Sequence, residues 1–323
     1  MKNFMRAAQL KGPRNFEMAE APIPEPKLDE VRIKLEGCGV CASNLVPWGG
    51  APWITYPLPP GALGHEGWGA IDALGSNVKK FNVGDRVAAL SNHAYAEYDV
   101  TKAASVLKIP HDLSFQNFPG EAFGCAMNIF RRMKISSGES VAIIGIGFLG
   151  SILTTLCHQV GAKVTAISRR DYALKMASDL GADQVIPMID HGEIIKKASE
   201  LTEGKFFDCV VEAVGKQWPL NLAGELTREG GRLVIAGYHQ DGPRSVNMQL
   251  WNWRGLDVIN AHERDLKICL KGIDSAIDAT SLGIISPPQF LTHSFFLDQI
   301  SDAFESTMNR PEGFLKAFIK YES

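Results

Sequence analysis

The 323-residue chain lacks an excess of charge of either sign: 33 lysines and arginines stand against 36 aspartates and glutamates, a net charge of −3. Without a basic field or a Lys/Arg stripe it offers little to a phosphate backbone, so nucleic-acid binding is not expected. It also lacks any uninterrupted apolar run approaching the ~18 residues of a membrane span. The first residues, Met1-Lys2-Asn3-Phe4-Met5-Arg6, turn polar too soon for the apolar region of a secretory signal. Six cysteines (Cys38, Cys41, Cys125, Cys157, Cys209, Cys269) are too scattered for a disulfide framework, a usage that fits a reducing cytoplasm. Internal repeats and low-complexity tracts are absent.

What is present describes a globular α/β protein. Apolar residues make up 45% and charged residues 21%, and the length exceeds one ordinary core, so two domains are expected. The first ~120 residues read as β-rich and loop-rich, with strands at Val31 to Leu35, Gly67 to Leu74 and Val87 to Leu90. The Pro-, Gly- and aromatic-rich stretch Trp48 to Gly64 reads as a surface loop over a cleft. The texture then changes. Glu121 to Lys134 has helical spacing and ends in basic residues that suit a helix C-terminus. Apolar runs at Ser140–Ile144, Val164–Ile167, Asp208–Val211 and Arg232–Ala236 alternate with helical segments, the pattern of a doubly wound parallel sheet. From about Glu263 the chain is expected to return to the first domain. The expected division is 1–120 with 263–323 for one domain and 121–262 for the other.

Gly145-Ile146-Gly147-Phe148-Leu149-Gly150 follows the first of those strands and opens a helix. In that setting Gly-x-Gly-x-x-Gly marks a dinucleotide site: a tight turn, a backbone able to approach a pyrophosphate, and a helix N-terminus with free N–H groups. An NAD site usually places a carboxylate at the end of the next strand, about 20 residues on. Here Ser168-Arg169-Arg170 stands there, so NADP(H) is expected over NAD(H), with Asp171 read as a helix N-cap.

Two further motifs carry metal chemistry. Cys41, in Gly39-Val40-Cys41, and His65, in Gly64-His65-Glu66-Gly67, supply the thiolate and imidazole that Zn²⁺ prefers. Cys38 and Cys41 also form Cys-x-x-Cys, the spacing of a redox dithiol, though without a thioredoxin-like setting around them.

Together these motifs resemble the zinc-dependent alcohol dehydrogenases of the medium-chain dehydrogenase/reductase superfamily. The matching residues are Gly39 to Asn44, Gly64 to Gly67, Val83 to Val87, Glu121 with Cys125, and Gly145 to Gly150. The resemblance implies a GroES-like β-rich catalytic domain plus a doubly wound Rossmann domain, assembled as a homodimer or homotetramer. It implies Cys41 and His65 as zinc ligands and Ser43 as the residue that takes the substrate proton. The third ligand position falls on Glu121, 24 residues before Gly145, and Cys125 matches a position beside the nicotinamide ring. Cys125 as the ligand in place of Glu121 stays open, as does Glu66 in or behind the metal shell.

Three departures stand out. Asp85 to Tyr95 contains no cysteine, so the four-cysteine lobe of a second, structural zinc is missing and one zinc per subunit is expected. Asn44 replaces the aspartate that supports the ligand histidine, and Val46 replaces a relay histidine. The expected activity is hydride transfer between NADP(H) and a small-molecule alcohol, aldehyde or ketone. Trp48, Trp53 and Tyr56 either line a pocket mouth, which points to a bulky or ring-containing substrate, or pack beneath their loop. Two alternatives are a zinc-free NADPH-dependent enone or quinone reductase of the same superfamily and a non-catalytic NADPH-binding protein.

Overall fold

In the chain's computed structural model, residues 3–113 and 116–321 are described. They fall into two compact units. One runs to Cys125 and resumes at Asp265; the other spans Ala126–Arg264. Among the described residues no helix is long and apolar enough to cross a membrane.

The first unit opens with an antiparallel ribbon of β1 (Phe4–Gly12) and β2 (Asn15–Pro22). The strands β3 (Glu30–Gly39), β4 (Gly67–Leu74), β5 (Arg86–Ala89), β6 (Tyr98–Lys102) and β7 (Val106–Lys108) follow. β3 is the hub. Its Val31, Ile33 and Leu35 alternate into the core while Arg32 and Lys34 face outward, the period-2 pattern that was legible in the sequence. Each such side chain, once buried, contributes roughly 1.5–3 kcal/mol.

The second unit is a six-stranded parallel sheet of β8 (Ser140–Ile144), β9 (Lys163–Ser168), β10 (Gln184–Pro187), β11 (Phe207–Glu212), β12 (Thr227–Ile235) and β13 (Asp257–Asn260). The strand order β10-β9-β8-β11-β12-β13 reverses at β8, the topological switch point of a doubly wound fold. Val141 and Ile143 join the core on one face, and Ala142 and Ile144 join the core on the other. Burial on both faces is why this strand reads as an unbroken apolar run. Neither β10 nor the helix His191–Leu201 was expected from the sequence pattern.

The chain then completes the first sheet with β14 (His293–Phe296) and β15 (Ala317–Lys320), giving the order β14-β15-β3-β4-β5-β7 with β6 also on β3. Register decides where chemistry can occur. Cys38 pairs with Gly67 of β4 and with Ile319 of β15. The end of β3 and the starts of β4 and β15 therefore meet, bringing Cys41, His65-Glu66 and Lys316 to one place.

One open sequence expectation is settled here and another corrected. Trp48 lies in a short helix, Leu45–Gly49, at 1% exposure in the core, and Tyr56 packs against the same core. Of the three aromatics only Trp53 is exposed, at 63%. Asp171 is the first residue of its helix, and Arg170 occupies the N-cap without a side-chain cap bond.

Candidate metal centre and dinucleotide turn

Cys41 lies two residues beyond β3 and is the N-cap of the 3-10 turn Ala42–Asn44. His65 and Glu66 lead into β4. One ligand atom from each of Cys41, His65 and Glu66 lies within 4.8 Å of the others, the only such group of three among the described residues. Glu121, in the first turn of the helix Gly120–Met133, lies outside that group. Its Oε1 accepts a hydrogen bond from Cys125 Sγ at 3.2 Å.

The imidazole of His65 is oriented. Its Nδ1 lies 3.1 Å from the carbonyl of Leu63. A carbonyl only accepts, so Nδ1 carries the proton and Nε2 is left as the ligand atom. Burial disfavours a charged ring, yet the hydrogen bond to Cys41 and the negative charges of Cys41, Glu121 and Glu66 raise its pKa to about 10. Desolvation pushes the Glu121 carboxyl above its ordinary value, while the His65 imidazole pulls it down. A converging negative field, a soft sulfur and an imidazole nitrogen are what a zinc ion requires, so the donor set fits.

Glu66 is held from behind. Lys316 Nζ donates to its Oε1 at 2.9 Å, with Oε2 at 2.7 Å, and both side chains are buried. Sequence reasoning did not find Lys316. Ser43 Oγ donates to Cys41 Sγ at 3.1 Å, so its hydroxyl stands beside the cluster. The Asn44 carboxamide does not reach His65 itself; its Nδ2 donates to the Leu63 carbonyl at 2.8 Å. His93 is exposed, and its backbone N–H donates to Asp99.

The second unit carries the dinucleotide features. Gly145 adopts φ +98°, and a Cβ on Gly150 would stand 2.0 Å from the Gly145 carbonyl, so both positions require glycine. A Cβ built on Gly147 meets nothing within 4 Å, leaving an open cradle. Gly147 is the N-cap of the helix Phe148–Gln159 and makes no side-chain cap bond. At the end of β9, Ser168 is buried and its Oγ accepts from Arg170 N at 3.4 Å. The two arginines then separate. Arg170 reaches back to the Ile146 carbonyl at 3.1 Å, while Arg169 is exposed.

Glu212, fully buried at the end of β11, was also missed from sequence. Its Oε1 accepts from the N–H groups of Val214 (2.8 Å) and Gly215 (2.7 Å). Arg244 Nε donates to His239 Nδ1 at 2.9 Å, so His239 Nε2 carries the ring proton and donates to Glu212 Oε2, also at 2.9 Å. This chain ties together the loops after β11 and β12.

Comparison with known proteins agrees with this geometry. The model of the alcohol dehydrogenase GroES-like domain matches residues 27–111, and that of the zinc-binding dehydrogenase matches residues 149–279. An alcohol dehydrogenase of Geobacillus stearothermophilus is 31% identical over 72% of this chain and 77% of its own. The sorbitol dehydrogenase of Bacillus subtilis is 25% identical over 98% of this chain and 97% of its own. A solved oxidoreductase/dehydrogenase of unknown specificity from Escherichia coli superposes with a TM-score of 0.88 at 24% identity, covering 99% of this chain and all of that one. The chain is an oxidoreductase belonging to the zinc-dependent alcohol dehydrogenase family of the medium-chain dehydrogenase/reductase superfamily.

Proposed function

We propose that this protein is a zinc-dependent, NADP(H)-linked dehydrogenase that interconverts a small-molecule alcohol and its aldehyde or ketone. One observation carries the reading: Cys41, His65 and Glu66 present ligand atoms within 4.8 Å of one another. Cys41 and His65 would hold the ion, with Glu121 as third ligand and Glu66 behind it, tethered by Lys316. When bound, zinc supplies a Lewis acid that polarises an alcohol or carbonyl oxygen, and the nicotinamide accepts or returns hydride.

The chain's own residues supply the rest. Ser43 Oγ, beside Cys41, takes the proton of the substrate hydroxyl. Val46 offers no imidazole three residues further on, so that proton leaves through water or a cofactor hydroxyl. The helix start after Gly147, at Phe148 and Leu149, meets the pyrophosphate. Ser168 and the exposed Arg169 meet the ribose 2′-phosphate, and Arg170 braces the turn beneath it. Sorbitol dehydrogenase among the relatives favours hydroxylated substrates.

Metal analysis together with turnover of an alcohol and polyol panel with NADP⁺ tests the reading. The expected result is about one zinc per chain and oxidation of at least one panel member. Reduction of enones or quinones by protein free of zinc would replace it with the zinc-free reductase. Tight NADPH binding without any turnover would replace it with a binding protein.

A further inference from the structure

Leu63 adopts φ +74°, in the left-handed region where a side chain costs energy and leucine is rare. The segment is fixed there by its neighbour in space. The Ala94 N–H donates to the Gly64 carbonyl at 2.9 Å and the Tyr95 N–H to the Gly61 carbonyl at 3.1 Å. These bonds come from the short loop that stands where a four-cysteine lobe is missing. The turn aims the Leu63 carbonyl at two donors, His65 Nδ1 at 3.1 Å and Asn44 Nδ2 at 2.8 Å.

Asn44 is buried at 5% exposure, and its Nδ2 also lies 3.4 Å from the hydroxyl of Tyr95. That hydroxyl, fully buried, donates to the Gly39 carbonyl at 3.3 Å. Gly39 precedes Cys41 by two residues, Asn44 follows it by three, and Leu63 precedes His65 by two. A continuous polar strut thus joins the two segments that carry the thiolate and the imidazole. Only an amide nitrogen can face the Leu63 carbonyl at this distance, which fixes the orientation of the carboxamide.

We infer that Asn44, with Tyr95, is a positioning residue for His65, acting through the Leu63 carbonyl; this rests on the reading of His65 as a zinc ligand. The carbonyl holds the Nδ1–H tautomer and the ring plane, and Asn44 holds the carbonyl. The consequence runs against simple expectation. An aspartate at position 44 cannot donate, so it sets a carboxylate oxygen against the Leu63 carbonyl. Restoring the residue usual in the family would loosen the site.

The test measures zinc binding to the metal-stripped protein by competition with a chromophoric chelator, and the visible spectrum after loading with Co²⁺ alone. Asn44→Asp and Asn44→Leu should each weaken zinc binding about 10–100-fold and alter the cobalt bands. Tyr95→Phe, which keeps the ring in the core, should do so by a smaller factor. It serves as the informative variant if both Asn44 changes fail to fold. Unchanged affinity and cobalt spectrum in a folded Asn44 variant, or in Tyr95→Phe if neither folds, would overturn the inference while leaving the zinc reading intact. Tighter binding by Asn44→Asp would also overturn it, because aspartate would then hold His65 directly. If the unaltered protein binds no stoichiometric zinc, the zinc reading falls and the inference with it.

Discussion

Lys316 Nζ sits 2.7 Å from Glu66 Oε2 and 2.9 Å from Oε1, an ion pair whose side chains are 6% and 1% exposed and 250 residues apart in sequence. Gly39 makes room for it, since a Cβ there would stand 1.8 Å from Glu66 Oε2. Removing one partner of a buried pair strands the other's charge, a larger effect than the net worth of the pair. Lys316→Met should therefore destabilise the zinc-free protein by about 3–5 kcal/mol in urea unfolding. Pairing it with Glu66→Gln should recover much of that loss. A single-variant loss below about 1 kcal/mol would show that water or a shifted carboxylate relieves the charge.

Cys41 supplies the only thiol in the ligand group. Cys41→Ser replaces a soft sulfur by a poorly ionised hydroxyl, and His65→Ala removes the imidazole outright. Either variant should drop zinc, measured by atomic emission on dialysed protein, from about one to below about a tenth per chain. Cys38→Ser is the control, because Cys38 is buried and donates to the Gly39 carbonyl at 3.4 Å. Loss of metal from the Cys38 variant alone would reverse the assignment of the two cysteines.

The parts of this site that were legible in the sequence are those where chemistry or periodicity leaves a local signature. Ser140 to Ile144 reads as a strand because both faces are buried, and the glycines at 145, 147 and 150 mark a turn by their spacing. Cys41 and His65 stand out because thiol and imidazole are uncommon and flanked by glycine. Lys316 had no such signature. It is one lysine beside a short strand, and it meets Glu66 only because β15 pairs with β3. Leu63 was equally silent, since nothing in a leucine announces a left-handed backbone held by a loop 30 residues away. Trp48 stood between pocket and core in the sequence because aromatic residues mark both, and its 1% exposure places it in the core.

Asp208 gives the parallel sheet a pH dependence. Its Oδ2 accepts from the N–H and hydroxyl of Ser140 at 2.8 and 2.7 Å, and its Oδ1 from Arg228 Nε at 2.7 Å. Burial would raise its pKa, but the Ser140 bonds and the Arg228 charge outweigh that and hold it below the ordinary 3.8. A depressed folded pKa gives stability that is complete above the unfolded value and disappears as pH falls toward the folded one. Asp208→Asn should cost about 1.5–3 kcal/mol near neutral pH. The gap to the unaltered protein should narrow below about pH 4. A gap that stays constant down to pH 2.5 would mean that the effect is shape and not charge.

Arg169 decides the cofactor in the proposed reading. It is exposed at the end of β9, while Arg170 is already committed to the Ile146 carbonyl 3.1 Å away. The 2′-phosphate of NADP would therefore draw its charge-assisted bonds chiefly from Arg169 and the Ser168 hydroxyl. A hydrogen bond to a charged group contributes about 1.5–3 kcal/mol, or roughly 10–100-fold in binding. Arg169→Ala should raise the Kd for NADPH by that factor, read from nicotinamide fluorescence titration, and leave NADH nearly unchanged. Arg169→Asp should go further and bring the two cofactors to parity, since a carboxylate repels the phosphate and accepts from a ribose 2′-hydroxyl. Arg170→Ala should weaken both cofactors alike, because it supports the turn that cradles the pyrophosphate common to them. Equal losses for NADPH and NADH in Arg169→Ala would remove Arg169 from the cofactor site and with it the argument for NADP.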